Sequence, residues 1–311
     1  QDINLCTAFQ TPSNDYEYIV EFTPNVSIHS KNHMLLYGCE VPGKLEEGDP
    51  RTVWDCGSTD GPKSDLFPSA PVCSSGMRIL YSWSKDAPAL QLPAGVGFKI
   101  GKGTGVNYVV LKVYYADVSK ILGGGSDDSG ITITVLPSTT NKITKKAGLY
   151  LLSTGGVIRS GTGEHFECAC TIDEPVHMHP FAFRPHSHAL GKAVSAYKID
   201  KDGNWILIGK GTPRKPMKFY PVKNTSLVIN DGDIVASRCT MFNFRDRDTY
   251  IGPTDHDEMC MFYMMYYVDG NQPLDQTGGC SSSGPPTYYW SKDPKLSVPA
   301  YIDKESSDPE Y

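Results

Sequence analysis

Runs of alternating side chains constrain this chain more than any other feature. In "YEYIVEF" (Tyr16–Phe22), Tyr16, Tyr18, Val20 and Phe22 are set to point one way. "NYVVLKVYYADV" (Asn107–Val118) and "ITITVL" (Ile131–Leu136) are rich in β-branched and aromatic residues. A period of two belongs to strands, whose successive side chains leave opposite faces. In "AYKIDKDGNWILIG" (Ala196–Gly209), Asp202-Gly203 separates two strand-like runs and predicts a hairpin. Helical spacing is hard to find, and 30 glycines and 23 prolines cut the chain into short segments. The pattern predicts an all-β protein built of sandwiches.

At 311 residues the chain exceeds the ~250–300 at which single cores stop growing, so two domains are expected. The polar stretch "PSTTNKITKKAG" (Pro137–Gly148) is the better boundary. This gives domains at 1–140 and 141–285. The Ser/Gly/Pro/Tyr-rich end, with an acidic tail at 286–311, is expected to wrap over the surface or fray.

The net charge is −6 and the basic residues are scattered, which excludes the clustered basic face of a nucleic-acid binder. No apolar run reaches the ~18 residues of a membrane span. The longest, "MCMFYMMYYV" (Met259–Val268), fits a buried strand. Nine dispersed cysteines without a CxxC pair favour disulfides and an oxidising compartment, and leave one thiol over. Glycosylation sequons at Asn25 and Asn224 agree, as does a start at Gln1 without a signal peptide. A secreted or secretory-lumen protein is expected.

Two HxH pairs carry the clearest chemistry. His186 and His188 in "FRPHSHALGK", at i and i+2 on a strand, project from one face and can chelate one ion. Met259, at the start of the apolar run, offers the thioether that selects Cu(I). His177 and His179 have equal standing by spacing, with polar strand ends as their ordinary reading. His33 opens an apolar strand, with His29 four residues earlier. Lys112 and Tyr114 share one strand face, which ordinary amphipathicity explains. There is no GxSxG. "GKGTG" (Gly101–Gly105) precedes a strand and reads as a turn, not a phosphate loop.

Several segments, taken together and in order, resemble the copper- and ascorbate-dependent monooxygenase family typified by the peptidylglycine α-hydroxylating core. They are "NHMLLYGCEVPG", "LYSWSKDAPALQLPAGVGFKIG", "YVVLKVYYADVS", "FAFRPHSHALGKAVSAYKI", "NWILIGK", "FYPV", "GDIVASRC" and "DEMCMFYMMYYV". The resemblance implies two antiparallel, jelly-roll-like β-sandwich domains side by side, with a copper in each facing a cleft. It implies His186, His188 and Met259 as ligands of the second-domain copper. Arg184 matches the arginine that grips a substrate carboxylate, and Tyr263 the substrate-contacting tyrosine. The first-domain set is degenerate: Asn32, His33 and Tyr114 stand where three histidines are expected, and Lys112 replaces a glutamine. Asn4 and Met261 also depart from the expected substrate residues. The resemblance implies disulfides Cys6–Cys56, Cys39–Cys73 and Cys239–Cys260, with Cys280 bridging to Cys168 or Cys170.

The expectation is a secreted homologue holding one copper per chain, not competent in peptide amidation. Its ligand would be a peptide or small carboxylate. The alternatives are an active monooxygenase using copper and ascorbate, and a metal-free structural or matrix sandwich.

Overall fold

The computed structural model describes residues 3–26, 33–46, 52–57, 66–115, 118–119, 123–252, 254, 256–272, 274 and 278–310. The chain is all-β, with strands throughout and a short α-helix near the C-terminus. It forms two compact units, Gln1–Leu149 and Tyr150–Tyr311. The division falls inside the strand Lys145–Thr154, just beyond the polar stretch chosen from the sequence. Lys145 and Lys146 pair with Val96 and Gly97 of the first unit, whereas Leu151–Thr154 pair with Gly279–Ser282 of the second.

In the first unit, five antiparallel strands run in the order Val53–Asp55, Ile3–Gln10, Tyr108–Tyr115, His33–Cys39 and Arg78–Ser84. A second sheet contains Gly130–Pro137, Tyr16–Asn25 and Val96–Gly101. Phe22 of the second sheet stacks on Tyr81 of the first at 4.5 Å. The expected alternation across Tyr16–Phe22 breaks. Ile19 and Phe22 are the fully buried residues. The register slips there, pairing Thr134 with Glu21 but Val135 with Ile19, which leaves Val20 bulged. A bulge adds one residue and flips the faces beyond it, so two residues three apart point into one core.

The second unit has a four-stranded antiparallel sheet: Gly163–Thr171, Ile234–Phe242, Gly191–Ile199 and Trp205–Gly211. Facing it is the pair His177–Ser187 and Cys260–Asp269. Phe166, Val194, Ile208 and Met241 from one side meet Phe183, Phe262, Met264 and Tyr266 from the other in a single core. The expected hairpin joins Ile199 to Trp205. Asp200 Oδ1 accepts the amides of Asp202 and Asn204 at 3.0 and 2.9 Å, and Gly203 takes a left-handed φ of 82°.

The C-terminal stretch does not fray. Trp290 and Ile302 are buried against Tyr197, Ile199, Trp205 and Ala236, on the outer face of the four-stranded sheet. The short helix Ala300–Ser307 carries Ile302 there. Buried Arg238 donates from Nε to Glu167 at 2.7 Å and from Nη1 to Ser306 at 2.8 Å. The Trp290 amide donates to the second Glu167 oxygen at 2.6 Å. The strand Gly191–Ile199 is buried at nearly every position, on both faces, because this strap covers what the core does not.

Four disulfides join Cys6–Cys56, Cys39–Cys73, Cys170–Cys280 and Cys239–Cys260. Of the two alternatives for Cys280, Cys170 is the partner. Cys168 is a buried thiol, 3.2 Å from the Ser237 hydroxyl.

Candidate metal centre

Antiparallel pairing sets Arg184 opposite Tyr263 and His186 opposite Met261. Side chains two apart share a face, so these four lie together. On the opposite, core side, Phe183 and Phe262 stack at 5.3 Å. Beyond Ser187 the chain turns back tightly. A Cβ on Gly191 would come within 1.8 Å of the Ser187 hydroxyl, so only glycine allows this approach. Buried Glu258 holds the turn in place. Its oxygens accept the amides of His188 at 2.8 Å, Leu190 at 2.7 Å and Met259 at 3.3 Å. One carboxylate thus fixes the histidine turn and the start of the methionine strand together.

The imidazoles of His186 and His188 lie 5.4 Å apart, nearly perpendicular at 86°. His188 Nδ1 is 3.0 Å from the Asp257 carbonyl. A carbonyl only accepts, so Nδ1 carries the proton and Nε2 the lone pair. His186 is 5% exposed, and its Nδ1 is 3.3 Å from the Met217 sulfur. The Tyr263 hydroxyl donates to the Met261 sulfur at 3.2 Å. Arg184 is buried, its guanidinium 5.3 Å from the Tyr263 ring centre. Among the described residues, no three His, Cys, Asp or Glu side chains converge on a point. What this corner offers is nitrogen and thioether sulfur.

In the first unit, His33 and Tyr114 are cross-strand partners with rings 6.1 Å apart. Asn4 pairs with Tyr114 from the other side. Lys112 lies two residues away on the same face. Burial lowers its ammonium pKa, with the Asp55 carboxylate pulling the other way. Asn32 and His29 lie outside the described residues.

Family models match both units. The N-terminal domain of copper type II ascorbate-dependent monooxygenase matches residues 1–121, and its C-terminal domain residues 145–293. The chain belongs to this monooxygenase family. It is 36% identical to peptidyl-glycine alpha-amidating monooxygenase A of Xenopus laevis, over 98% of this chain and 30% of that protein. The Rattus norvegicus peptidylglycine alpha-amidating monooxygenase is 34% identical over 88% of the chain and 26% of its own length. Human dopamine beta-hydroxylase is 25% identical over 88% of the chain and 46% of its length. The chain therefore spans about a third or less of the amidating relatives. Among solved structures, an infectious bursal disease virus VP2 particle aligns over 88% of this chain and 73% of that one, at 10% identity and a TM-score of 0.22, too low to carry an argument.

The family's copper and ascorbate dependence can be weighed against these residues. Two imidazoles with half-buried thioethers beside them form a soft donor set, which suits Cu(I) and is poor for hard ions. The second unit supplies donors of the type copper takes. The structure brings His186 and His188 together and sets Met259 one residue beyond the clamp of Glu258. It also pairs Arg184 with Tyr263. His177 and His179 have other work. His177 Nδ1 is 2.6 Å from Asn230 Oδ1, and His179 stacks on Tyr267 at 4.8 Å. Sequence reasoning missed Glu258 and Met217. Glu258 adjoins Met259, but nothing in its spacing signals burial. Met217 sits in a proline-flanked loop with no periodic signal at all.

Proposed function

We propose that this chain is a secreted, copper-binding member of the monooxygenase family that holds one copper, in its second unit, and does not catalyse peptide amidation. His186, His188 and Met259 would hold the ion through nitrogen and sulfur. One observation carries this reading: the soft donors are gathered in the second unit, whereas the first places Tyr114 against His33. The whole first unit contains just two histidines, His29 and His33. Amide and phenol oxygens are poor Cu(I) ligands, and the Lys112 ammonium opposes a nearby cation.

The chemistry follows from electron count. Converting C–H to C–OH with O2, releasing water, consumes two electrons and two protons from a donor. A single copper, when bound, supplies one electron per cycle. With no second reservoir, ascorbate-driven turnover lacks its second electron. Arg184 would set the charge of any ligand, favouring an anionic terminus such as a peptide carboxylate. Because Arg184 is buried, that ligand must displace what covers it. Four disulfides and the exposed sequon residues Asn25 and Asn224 support passage through an oxidising secretory compartment.

Copper content after reconstitution and dialysis tests the proposal, together with oxygen uptake on ascorbate and a glycine-extended peptide. One copper per chain, lost in His186→Ala, is expected, without sustained oxygen uptake. Two coppers per chain would overturn the single-copper reading, and many turnovers of hydroxylated product would establish an active monooxygenase.

A further inference from the structure

His186 and His188 are both engaged through Nδ1, but by different acceptors. For His188 it is a carbonyl, Asp257 O at 3.0 Å. For His186 it is a thioether, Met217 Sδ at 3.3 Å. A thioether sulfur carries no hydrogen and can only accept. The contact is attractive only when His186 Nδ1 holds the proton. We propose that Met217 is a positioning residue that keeps His186 in its Nδ1–H form and turns the Nε2 lone pair toward the metal. The role in metal binding rests on the single-copper reading above; the tautomer does not.

The fold brings Met217 there by a short chain of contacts. Tyr220–Pro221 pair with Ala182–Phe183, three residues before His186. The Tyr220 hydroxyl donates to the Pro216 carbonyl at 2.7 Å, and the Lys218 amide to the same carbonyl at 3.0 Å. The loop is thus tied down on either side of Met217, which is half-buried. Direct ligation by Met217 does not compete with this role. The two ring nitrogens lie on opposite edges of the imidazole, so a sulfur against Nδ1 is out of reach of an ion on Nε2.

The donor strengths then differ. An outer acceptor that pulls on Nδ1–H makes Nε2 a better base. Sulfur is a weaker acceptor than a carbonyl, so His186 is the less electron-rich ligand of the pair. A weaker nitrogen donor beside thioethers suits the cuprous state.

The test uses the metal-free protein with 15N-labelled histidine, read by long-range 15N–1H correlation. Wild type should show Nδ1–H for both His186 and His188. In Met217→Leu, His186 should lose that preference while His188 keeps it. Met217→Gln, whose amide oxygen can accept, should restore it. In copper titrations, Met217→Leu should weaken Cu(I) binding roughly 10-fold, the lower end for loss of an outer-shell partner. Nε2–H at His186 in the wild type overturns the proposal without any variant. So does an unchanged His186 tautomer in Met217→Leu. A wild type with His186 as Nδ1–H that takes up no copper upholds the tautomer and sinks the copper reading alone.

Discussion

The carboxylate of Glu258 grips the backbone of His188: Oε2 accepts its amide at 2.8 Å, across 70 residues of sequence. The same side chain reaches Leu190 and Met259, so the spacing between the histidine turn and the methionine strand hangs on one buried anion. Hydrogen bonds to charged groups contribute about 1.5–3 kcal/mol each, and orphaned buried amides add a penalty. Because such contributions do not add in full and the Met259 bond is long at 3.3 Å, Glu258→Ala should cost about 3–5 kcal/mol in urea unfolding of the metal-free protein. Glu258→Gln, which keeps the shape but one good acceptor, should cost less. An Ala variant as stable as wild type would remove the clamp from the account.

Cys170–Cys280 closes a span of 110 residues, the longest of the four bridges. Chain-entropy reasoning gives such a span about 4–5 kcal/mol. Replacing both cysteines with alanine should lower the unfolding free energy by about 3–5 kcal/mol. The remaining thiol, Cys168, is pushed up to about 11 by burial, so it is neutral and hidden at pH 8. Iodoacetamide should label no cysteine in the native protein and one after unfolding without reductant. Rapid labelling of the native protein would contradict this.

Burial first, then the Arg238 charge, depress the His165 pKa to about 4, from 6.5 for the free side chain. The unfolded chain therefore binds this proton at a higher pH than the folded one. Stability rises with pH wherever the unfolded state holds more protons. His165 should make the protein progressively less stable as pH falls from about 6.5 to about 4, and have no effect above that window. His165→Gln should flatten that limb in urea melts at stepped pH. An unchanged slope would assign the acid sensitivity to other groups.

Asn25 and Asn224 are both exposed, and the Ser226 hydroxyl donates to Asn224 Oδ1 at 2.8 Å. Expressed through a secretory pathway, the chain should carry glycans that peptide N-glycosidase removes. Asn25→Gln and Asn224→Gln should each eliminate one by mass spectrometry. An unmodified chain from such a host would count against secretion as its natural route.

Much of this protein can be read from order along the chain. Alternation gave the all-β class, Asp202-Gly203 marked its hairpin, and the HxH spacing marked His186/His188, together with His177/His179, as a candidate ligand pair. These features are local: a strand's period, a turn's φ and an i, i+2 projection arise within a few residues. Where a local rule failed, a distant partner decided. The alternation at Tyr16–Phe22 broke because pairing with Gly130–Pro137 introduced a bulge at Val20. Of the two alternatives left open for the C-terminal stretch, wrapping prevailed over fraying because Trp290 and Ile302 cover the outer face of the four-stranded sheet. The protonation of His186 and the placing of His188 depend on Met217 and Glu258, 31 and 70 residues away. The sequence by itself determined which side chains could bind a soft metal. Tertiary structure alone decided which nitrogen faces it, because a tautomer is chosen by whichever acceptor the fold brings within hydrogen-bond reach.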